Sequence, residues 1–248
     1  MIPTYDEAES VVEVVDRVLL ADPRVEVLVV DDGSPDGTAK LVAGRAEGEP
    51  RVHLLERSGK QGLGAAYRVG FAWGLERGFE ALVEMDADMS HPPDRLPALL
   101  DGLDGADLVI GSRYVPGGRT VNWSRLREAI SRGGNAYVRL ALGLPVHDAT
   151  AGYRAYRRAV LEELPVATVR SNGYCFQIEM AHRAWQEGFR VVEVPITFTE
   201  RASGVSKMSR QIVAEALLRV AQWALTGGRR RARQPHPRSV AVGGRARP

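Results

Sequence analysis

The sequence predicts an α/β fold, a mostly parallel sheet flanked by helices, and two observations carry that expectation. Apolar periodicity switches repeatedly between two and about 3.6, the pattern of alternating strands and helices. The strand-like runs end in polar motifs, Asp31-Asp32, Asp86-Ala87-Asp88 and Ser112-Arg113. In an open parallel sheet the carboxyl ends of the strands face the ligand crevice, so these motifs should converge there.

The elements follow in order. Pro3-Thr4-Tyr5 closes what would be a first strand. Val11, Val14, Val15, Val18 and Leu19 share one helical face. Val25 to Val30 is a valine-rich strand, and Asp36-Gly37-Thr38 opens the next helix. Strands are expected at 52–55, 81–85 and 106–111, with helices at 63–76 and 93–103. The second half is less regular. It reads as a helix at 126–142, a strand at 153–156, a helix at 176–187 and a strand at 190–198. A Gly/Ser loop follows at 202–206. An amphipathic helix at 210–225 then carries Ile212, Val213, Ala216, Leu217, Val220, Ala221 and Ala224 on one stripe. Two units are expected, a folded domain over 1–226 and a basic, disordered tail over 227–248.

Composition narrows the function classes. The chain has 248 residues, 44% hydrophobic and 26% charged, the profile of a soluble globular protein. Cys175 is the only cysteine, so no intrachain disulfide forms, and a reducing cytosol is the simplest compartment. Met1 to Tyr5 has no basic or apolar leader character. No run reaches the roughly 18 apolar residues of a membrane span. Net charge is +2, yet seven arginines and no acid lie between Arg229 and Arg247. The body is therefore net negative and the tail strongly basic. Such a tail alone would suit nucleic acid, but that reading leaves the acidic strand-end motifs unexplained, and no nucleic-acid partner is expected.

Asp86-Ala87-Asp88 is the sharpest chemical signal. Two carboxylates at a strand end, just before Pro92-Pro93, can turn toward one point. Paired hard oxygens suit Mg²⁺ or Mn²⁺ bound together with substrate phosphates. The same pair would also serve to cap the next helix. Asp31-Asp32-Gly33-Ser34 can accept hydrogen bonds from a base or ribose, and equally builds an ordinary turn. Tyr5 could stack on a base with Glu7 bonding to it, while acids there also suit a helix N-terminus. Lys60-Gln61-Gly62-Leu63-Gly64 lacks dinucleotide-site and P-loop spacing and reads as a tight helix entry. Arg113, Arg127, Arg201 and Lys207 are the best-placed cations for phosphate. The histidines, His91 and His147 among them, show no metal-ligand spacing, and His53 sits in a strand. Asp148 is the one base-like candidate, with a structural role as the competing reading. No Gly-x-Ser-x-Gly elbow or Cys/His pair supports a nucleophilic hydrolase.

In order along the chain, Ile2-Pro3-Thr4-Tyr5-Asp6-Glu7, Val29-Val30-Asp31-Asp32-Gly33-Ser34-Pro35-Asp36-Gly37-Thr38, Met85-Asp86-Ala87-Asp88-Met89-Ser90-His91-Pro92 and Gly111-Ser112-Arg113-Tyr114 resemble family 2 glycosyltransferases of the dolichyl-phosphate (polyprenyl-phosphate) mannose synthase type. Ile130-Ser131-Arg132-Gly133-Gly134-Asn135, Asp148-Ala149-Thr150-Ala151-Gly152-Tyr153 and Gly204-Val205-Ser206-Lys207 extend the match over roughly residues 2 to 210. The resemblance implies a GT-A fold and inverting transfer of mannose from GDP-mannose to a polyprenyl phosphate. It puts Pro3, Tyr5, Glu7, Val30 and Asp32 around the guanine nucleoside. Asp86 and Asp88 hold Mg²⁺ or Mn²⁺ on the diphosphate, with backbone at Ala87 and Met89 nearby. Arg201 and Lys207 reach the diphosphate, and Arg113, Arg127 and Ser131 bind the acceptor phosphate. Two departures stand out. Tyr5-Asp6-Glu7 replaces the commoner Tyr-Asn-Glu, and only Met1 precedes Ile2, so the first strand should be nearly absent and the start codon assigned too late. A peripheral location at the inner face of the cell membrane, by direct contact or through a membrane-protein partner, is also expected. The same acceptor with UDP-glucose as donor, or a non-catalytic nucleotide-sugar-binding module, remain the alternatives.

Overall fold

The computed structural model describes residues 1–169, 171, 173–200 and 210–226. The elements are β1 (Ile2–Thr4), α1 (Val11–Ala21), β2 (Val27–Asp31), α2 (Thr38–Gly48), β3 (Val52–Glu56), α3 (Leu63–Glu76) and β4 (Ala81–Glu84). Then come α4 (Leu96–Gly102), β5 (Leu108–Ser112), β6 (Arg119–Val121), α5 (Arg125–Leu142), β7 (Arg154–Arg157), α6 (Arg158–Glu163), α7 (Gly173–Gln186), β8 (Val191–Pro195), β9 (Thr197–Thr199) and α8 (Arg210–Thr226).

Strands β1, β2 and β3 pair in parallel in that order. A second sheet runs β4-β7-β5-β8, in which β7 is antiparallel to both neighbours and β5 is parallel to β8. Met1 bridges the two sheets, its nitrogen donating to Val83 O at 2.7 Å while its carbonyl accepts from Met85 N at 3.2 Å. The α/β class holds, and the antiparallel β7 is the addition that the strand–helix rhythm did not show. The first strand, expected to be nearly absent, is a three-residue strand with Ile2 buried and Ile2, Pro3 and Thr4 in register with Val29, Val30 and Asp31.

Burial explains the strand composition. All five residues of β2 and all five of β5 are buried, which is why both read as unbroken apolar runs. Helix α1 covers one face through Val11, Val14, Val15, Val18 and Leu19. On the other side Tyr67 and Phe71 of α3, Phe176, Ile178 and Met180 of α7 and Val220 of α8 share one core. Two boundaries differ for physical reasons. The 93–103 helix begins as a 3-10 turn at Pro93–Arg95, with Leu96-Pro97 starting α4, because each proline fits a first turn but not a continuing one. The 190–198 strand breaks after Pro195, which has no N–H to donate. The next amide, Ile196 N, bonds back to Ser112 O at 3.0 Å, and β9 then pairs with β6 instead.

Candidate nucleotide-sugar crevice

A crevice of about 400 Å³ opens at the carboxyl ends of the strands. Pro3, Tyr5, Glu7 and Asp32 line one part of it, Asp86, Ala87 and Asp88 another, and Arg113 and Arg127 a third. The three strand-end motifs thus meet in one place, as their positions in a parallel sheet require.

The twin aspartates after β2 divide two tasks. Asp31 is fully buried and accepts from Thr4 Oγ1 (2.8 Å), Ser34 N (2.8 Å) and Ser34 Oγ (2.6 Å), so it ties the ends of β1 and β2 together. Asp32 faces the crevice and is held by Arg57 Nη1 at 2.6 Å and Gln61 N at 3.3 Å. Asp6 sits in the left-handed region (φ 58°), which suits the short polar side chain found there. Gly62, with φ 90°, caps α3, as a tight helix entry requires, and brings Lys60 over the Tyr5 ring at 4.0 Å.

Beyond β4 the chain turns sharply. Asp88 Oδ1 accepts from Ser90 N at 3.0 Å, Met89 is left-handed (φ 61°), and Asp86 N donates to Nδ1 of buried His91 at 3.0 Å. His91 is thereby fixed with its proton on Nε2, stacked on Tyr153. This turn places both carboxylates on the crevice wall and satisfies the backbone that would otherwise continue as a strand. Among the described residues no group of three or more His, Cys, Asp or Glu side chains could cage a metal. Two carboxylates with substrate oxygens and water completing the shell is a donor set that fits Mg²⁺ or Mn²⁺ arriving with a diphosphate.

Arg113 is built into the core of the far wall. Its Nε and Nη2 meet the Asp148 carboxylate at 2.7 and 2.6 Å, its backbone N meets the same group at 2.9 Å, and Nη2 also reaches Thr150 Oγ1 at 2.9 Å. Burial works against the guanidinium's charge, and Asp148 more than offsets it, leaving the pKa raised. Asp148, fully buried and committed to Arg113, is the arginine's anchor; this settles its role in favour of structure over base. Arg127 on α5 lies over the Trp123 ring at 4.1 Å and pairs with Glu200.

Some expected residues sit outside the lining. Val30 is buried one position before Asp31, packed with Leu28 and Ala66. The Met89 side chain packs toward the core, and Ser131 accepts from Tyr114 Oη at 2.7 Å beside the crevice. Arg201 and Lys207 lie outside the described residues, as do the 202–206 loop and the 227–248 tail. Several lining residues went unnoticed in the sequence, namely Gln177, Trp123, Phe198 and Glu200. Only Gln177 carried a usable signal, a polar residue inside the apolar run Cys175-Phe176-Gln177-Ile178. Nearby, burial pushes the Glu84 carboxyl up to about 7 against the pull of Arg154, its cross-strand partner.

This geometry agrees with what the chain resembles. It is 57% identical over 235 residues to the polyprenol monophosphomannose synthase of Mycolicibacterium smegmatis, covering 94% of this chain and 89% of that protein. It is 53% identical over 225 residues to the undecaprenyl-phosphate mannosyltransferase of Micrococcus luteus, covering 91% and 93% of the two chains. In fold it matches the solved structure of glucosyl-3-phosphoglycerate synthase from Mycobacterium tuberculosis in complex with Mg²⁺ and uridine-diphosphate, with a TM-score of 0.64. That match covers 89% of this chain and 78% of the other at 22% identity, and it bears on the fold alone. The GT-A type architecture that the family resemblance implies is therefore the observed one. The model of the glycosyl transferase family 2 matches residues 1–165, and with these relatives it establishes that the chain belongs to glycosyl transferase family 2.

Proposed function

We propose that this glycosyltransferase moves mannose from GDP-mannose to a polyprenyl phosphate with inversion, releasing GDP. The names of the two relatives support the acceptor and the sugar. The observation that carries the reading is the shared crevice, with a carboxylate pair on one wall and a buried, anchored arginine on another. An acceptor that is a phosphate monoester is already ionised near neutral pH, its second pKa being about 6. It needs orientation and charge stabilisation more than a general base.

Each residue then has a defined task. Tyr5 and Glu7, with Pro3, frame the guanine nucleoside, and Asp32, braced by Arg57, receives the ribose or base. Asp86 and Asp88 hold the divalent cation, with the backbone of Ala87 and Met89 beside the diphosphate. A bound Mg²⁺ or Mn²⁺ supplies charge neutralisation of the departing diphosphate. Arg201 and Lys207 serve the same diphosphate. Arg113 contributes a fixed positive charge whose position does not change on binding, because Asp148 and Thr150 hold it. Arg127 changes partner, exchanging Glu200 for the acceptor phosphate, with Ser131 close by on the same helix.

The acceptor tail calls for a lipid surface, and α5 supplies one. Leu126 and Leu140 are 72% and 74% exposed, and Ile130 is also exposed on the same stripe. Arg125, Arg132 and Arg139, all exposed, run beside it. Leu218 and exposed Leu225 of α8 add to this side, since Tyr137 of α5 bonds to Leu217 O at 3.2 Å. Exposed apolar side chains fringed by arginines match an interfacial helix on an anionic leaflet. No helix among the described residues is long and apolar enough to cross a membrane. The proposed contact is peripheral, made by this arginine-fringed apolar face at the inner face of the cell membrane.

The test is transfer of radiolabel from GDP-mannose to a short polyprenyl phosphate, counted in the organic phase, with UDP-glucose as competitor. Metal-dependent label that excess UDP-glucose does not suppress is the expected result. Label from UDP-glucose in place of GDP-mannose would move the donor assignment, and label from neither would remove the reading.

A further inference from the structure

Gln177 does not behave as a core residue should. It lies in the second turn of α7, 2% exposed, amid Phe176, Ile178, Met180 and Ala181, all of which enter the apolar core. Yet neither its amide nitrogen nor its amide oxygen has a hydrogen-bond partner among the described residues. The Glu84 carboxyl is close enough to feel this amide, but the two complete no hydrogen bond of good geometry. Leaving a buried amide unpaired is costly, and a leucine or methionine would fill the same space at no such cost.

The position of the residue shows where that cost is recovered. Gln177 lines the crevice together with Gly173 one turn earlier on the same helix. Its backbone is pinned by the buried Arg154, whose three nitrogens donate to Gln177 O (2.6 Å), Ala149 O (2.7 Å) and Ala151 O (2.8 Å). One guanidinium thus locks the start of α7 to the segment ending at Gly152. A Cβ at Gly152 would stand 3.8 and 3.9 Å from the two Asp86 carboxylate oxygens, so this segment faces the metal-binding wall directly. Gln177 lines the same crevice as the Asp86–Asp88 wall and Arg113, with its two amide atoms themselves covered. With diphosphate on one side and acceptor phosphate on the other, the group lying between them is the sugar being transferred.

We propose that Gln177 is a specificity-determining residue whose carboxamide hydrogen-bonds hydroxyls of the donor hexose. A primary amide offers two donor hydrogens and an acceptor oxygen, which suits a pair of neighbouring sugar hydroxyls. It cannot take up a proton near neutrality, so it reads the sugar without competing for the proton chemistry of the acceptor. A site built to bond a hydroxyl discriminates strongly because a wrong stereoisomer leaves its buried polar atoms unpaired. The inference rests on the donor-sugar reading of this crevice, though not on which nucleotide sugar is used.

The test compares wild type with Gln177→Met and Gln177→Leu in the full chain, with Mg²⁺ present. Affinities are measured for GDP, GDP-mannose and GDP-glucose, together with thermal melting. Both variants should melt at or above wild type and bind GDP unchanged. Their preference for GDP-mannose over GDP should fall about tenfold or more, the scale of a lost buried hydrogen bond, and their discrimination against GDP-glucose should shrink with it. Unchanged donor-to-GDP and mannose-to-glucose ratios would overturn the proposal. So would a parallel loss of GDP affinity, or failure of both variants to fold, since either makes the amide structural. If wild type proves to select UDP-glucose, the donor assignment fails separately. The same variants are then read as the ratio of UDP-glucose to UDP, and Gln177 stands or falls on that ratio.

Discussion

The two walls of the crevice are built in opposite ways. The wall proposed for the donor comes from short contiguous runs, residues 3–7, 31–34 and 86–91, each at the carboxyl end of a strand and each shaped by its own turn. The wall proposed for the acceptor is assembled from distant residues. Arg113 is fixed by Asp148 and Thr150, 35 and 37 positions away, and Arg127 meets Glu200 across 73 positions. The donor wall is therefore a set of local motifs on a rigid sheet, whereas the acceptor wall is a tertiary construction. Local motifs keep their geometry when one side chain is changed. A buried ion pair does not, because removing one partner strands the other in the core.

The largest expected effect lies on the donor wall. Asp88→Ala should lower transfer about a thousandfold or more, the loss of a charge-stabilising group at the leaving diphosphate, with an unchanged melting curve. Asp148→Asn should do the reverse. It leaves Arg113 buried with its charge unmatched, so stability should drop by about 3–5 kcal/mol, read by urea unfolding. Similar stability losses on both walls would erase the contrast. Arg127→Ala, on the partly exposed edge of the acceptor wall, should raise the acceptor KM about tenfold to a hundredfold while stability stays within about 0.5 kcal/mol. Replacing Leu126, Ile130 and Leu140 together with serine should weaken binding to anionic vesicles about tenfold. The same variant should still use a short soluble acceptor at the wild-type rate. The smallest effect concerns Cys175, whose buried thiol is pushed up to about 11; iodoacetamide at pH 8 should leave the native protein unlabelled and fully active.

The same contrast governs what the sequence could reveal. Val27–Asp31 and Leu108–Ser112 were legible because a strand buried on both faces must be apolar throughout, and the polar residue that follows each, Asp32 or Arg113, lies at the crevice. Asp86 and Asp88 were legible as a carboxylate pair at the end of a strand, just before Pro92-Pro93. The division of labour between Asp31 and Asp32 was not, since both types suit either role and only the Thr4 and Ser34 contacts separate them. β7 escaped as an antiparallel strand because its pairing with β4 and β5 depends on a return of the chain that no local period encodes. Asp148 looked like a possible base until Arg113 filled its oxygens. Gln177, Phe198 and Glu200 reach the crevice from α7, β9 and the chain just past β9, elements whose placement is set by tertiary packing.

The most direct measurement is a pair of titrations on two single variants. GDP with Mg²⁺ and a short polyprenyl phosphate are each titrated into Asp88→Ala and Arg127→Ala by calorimetry. Separate walls predict a double dissociation, with Asp88→Ala losing metal-dependent GDP affinity and keeping the acceptor, and Arg127→Ala keeping GDP and losing the acceptor. Loss of both ligands in both variants, or of GDP alone in Arg127→Ala, would contradict the assignment of the two walls.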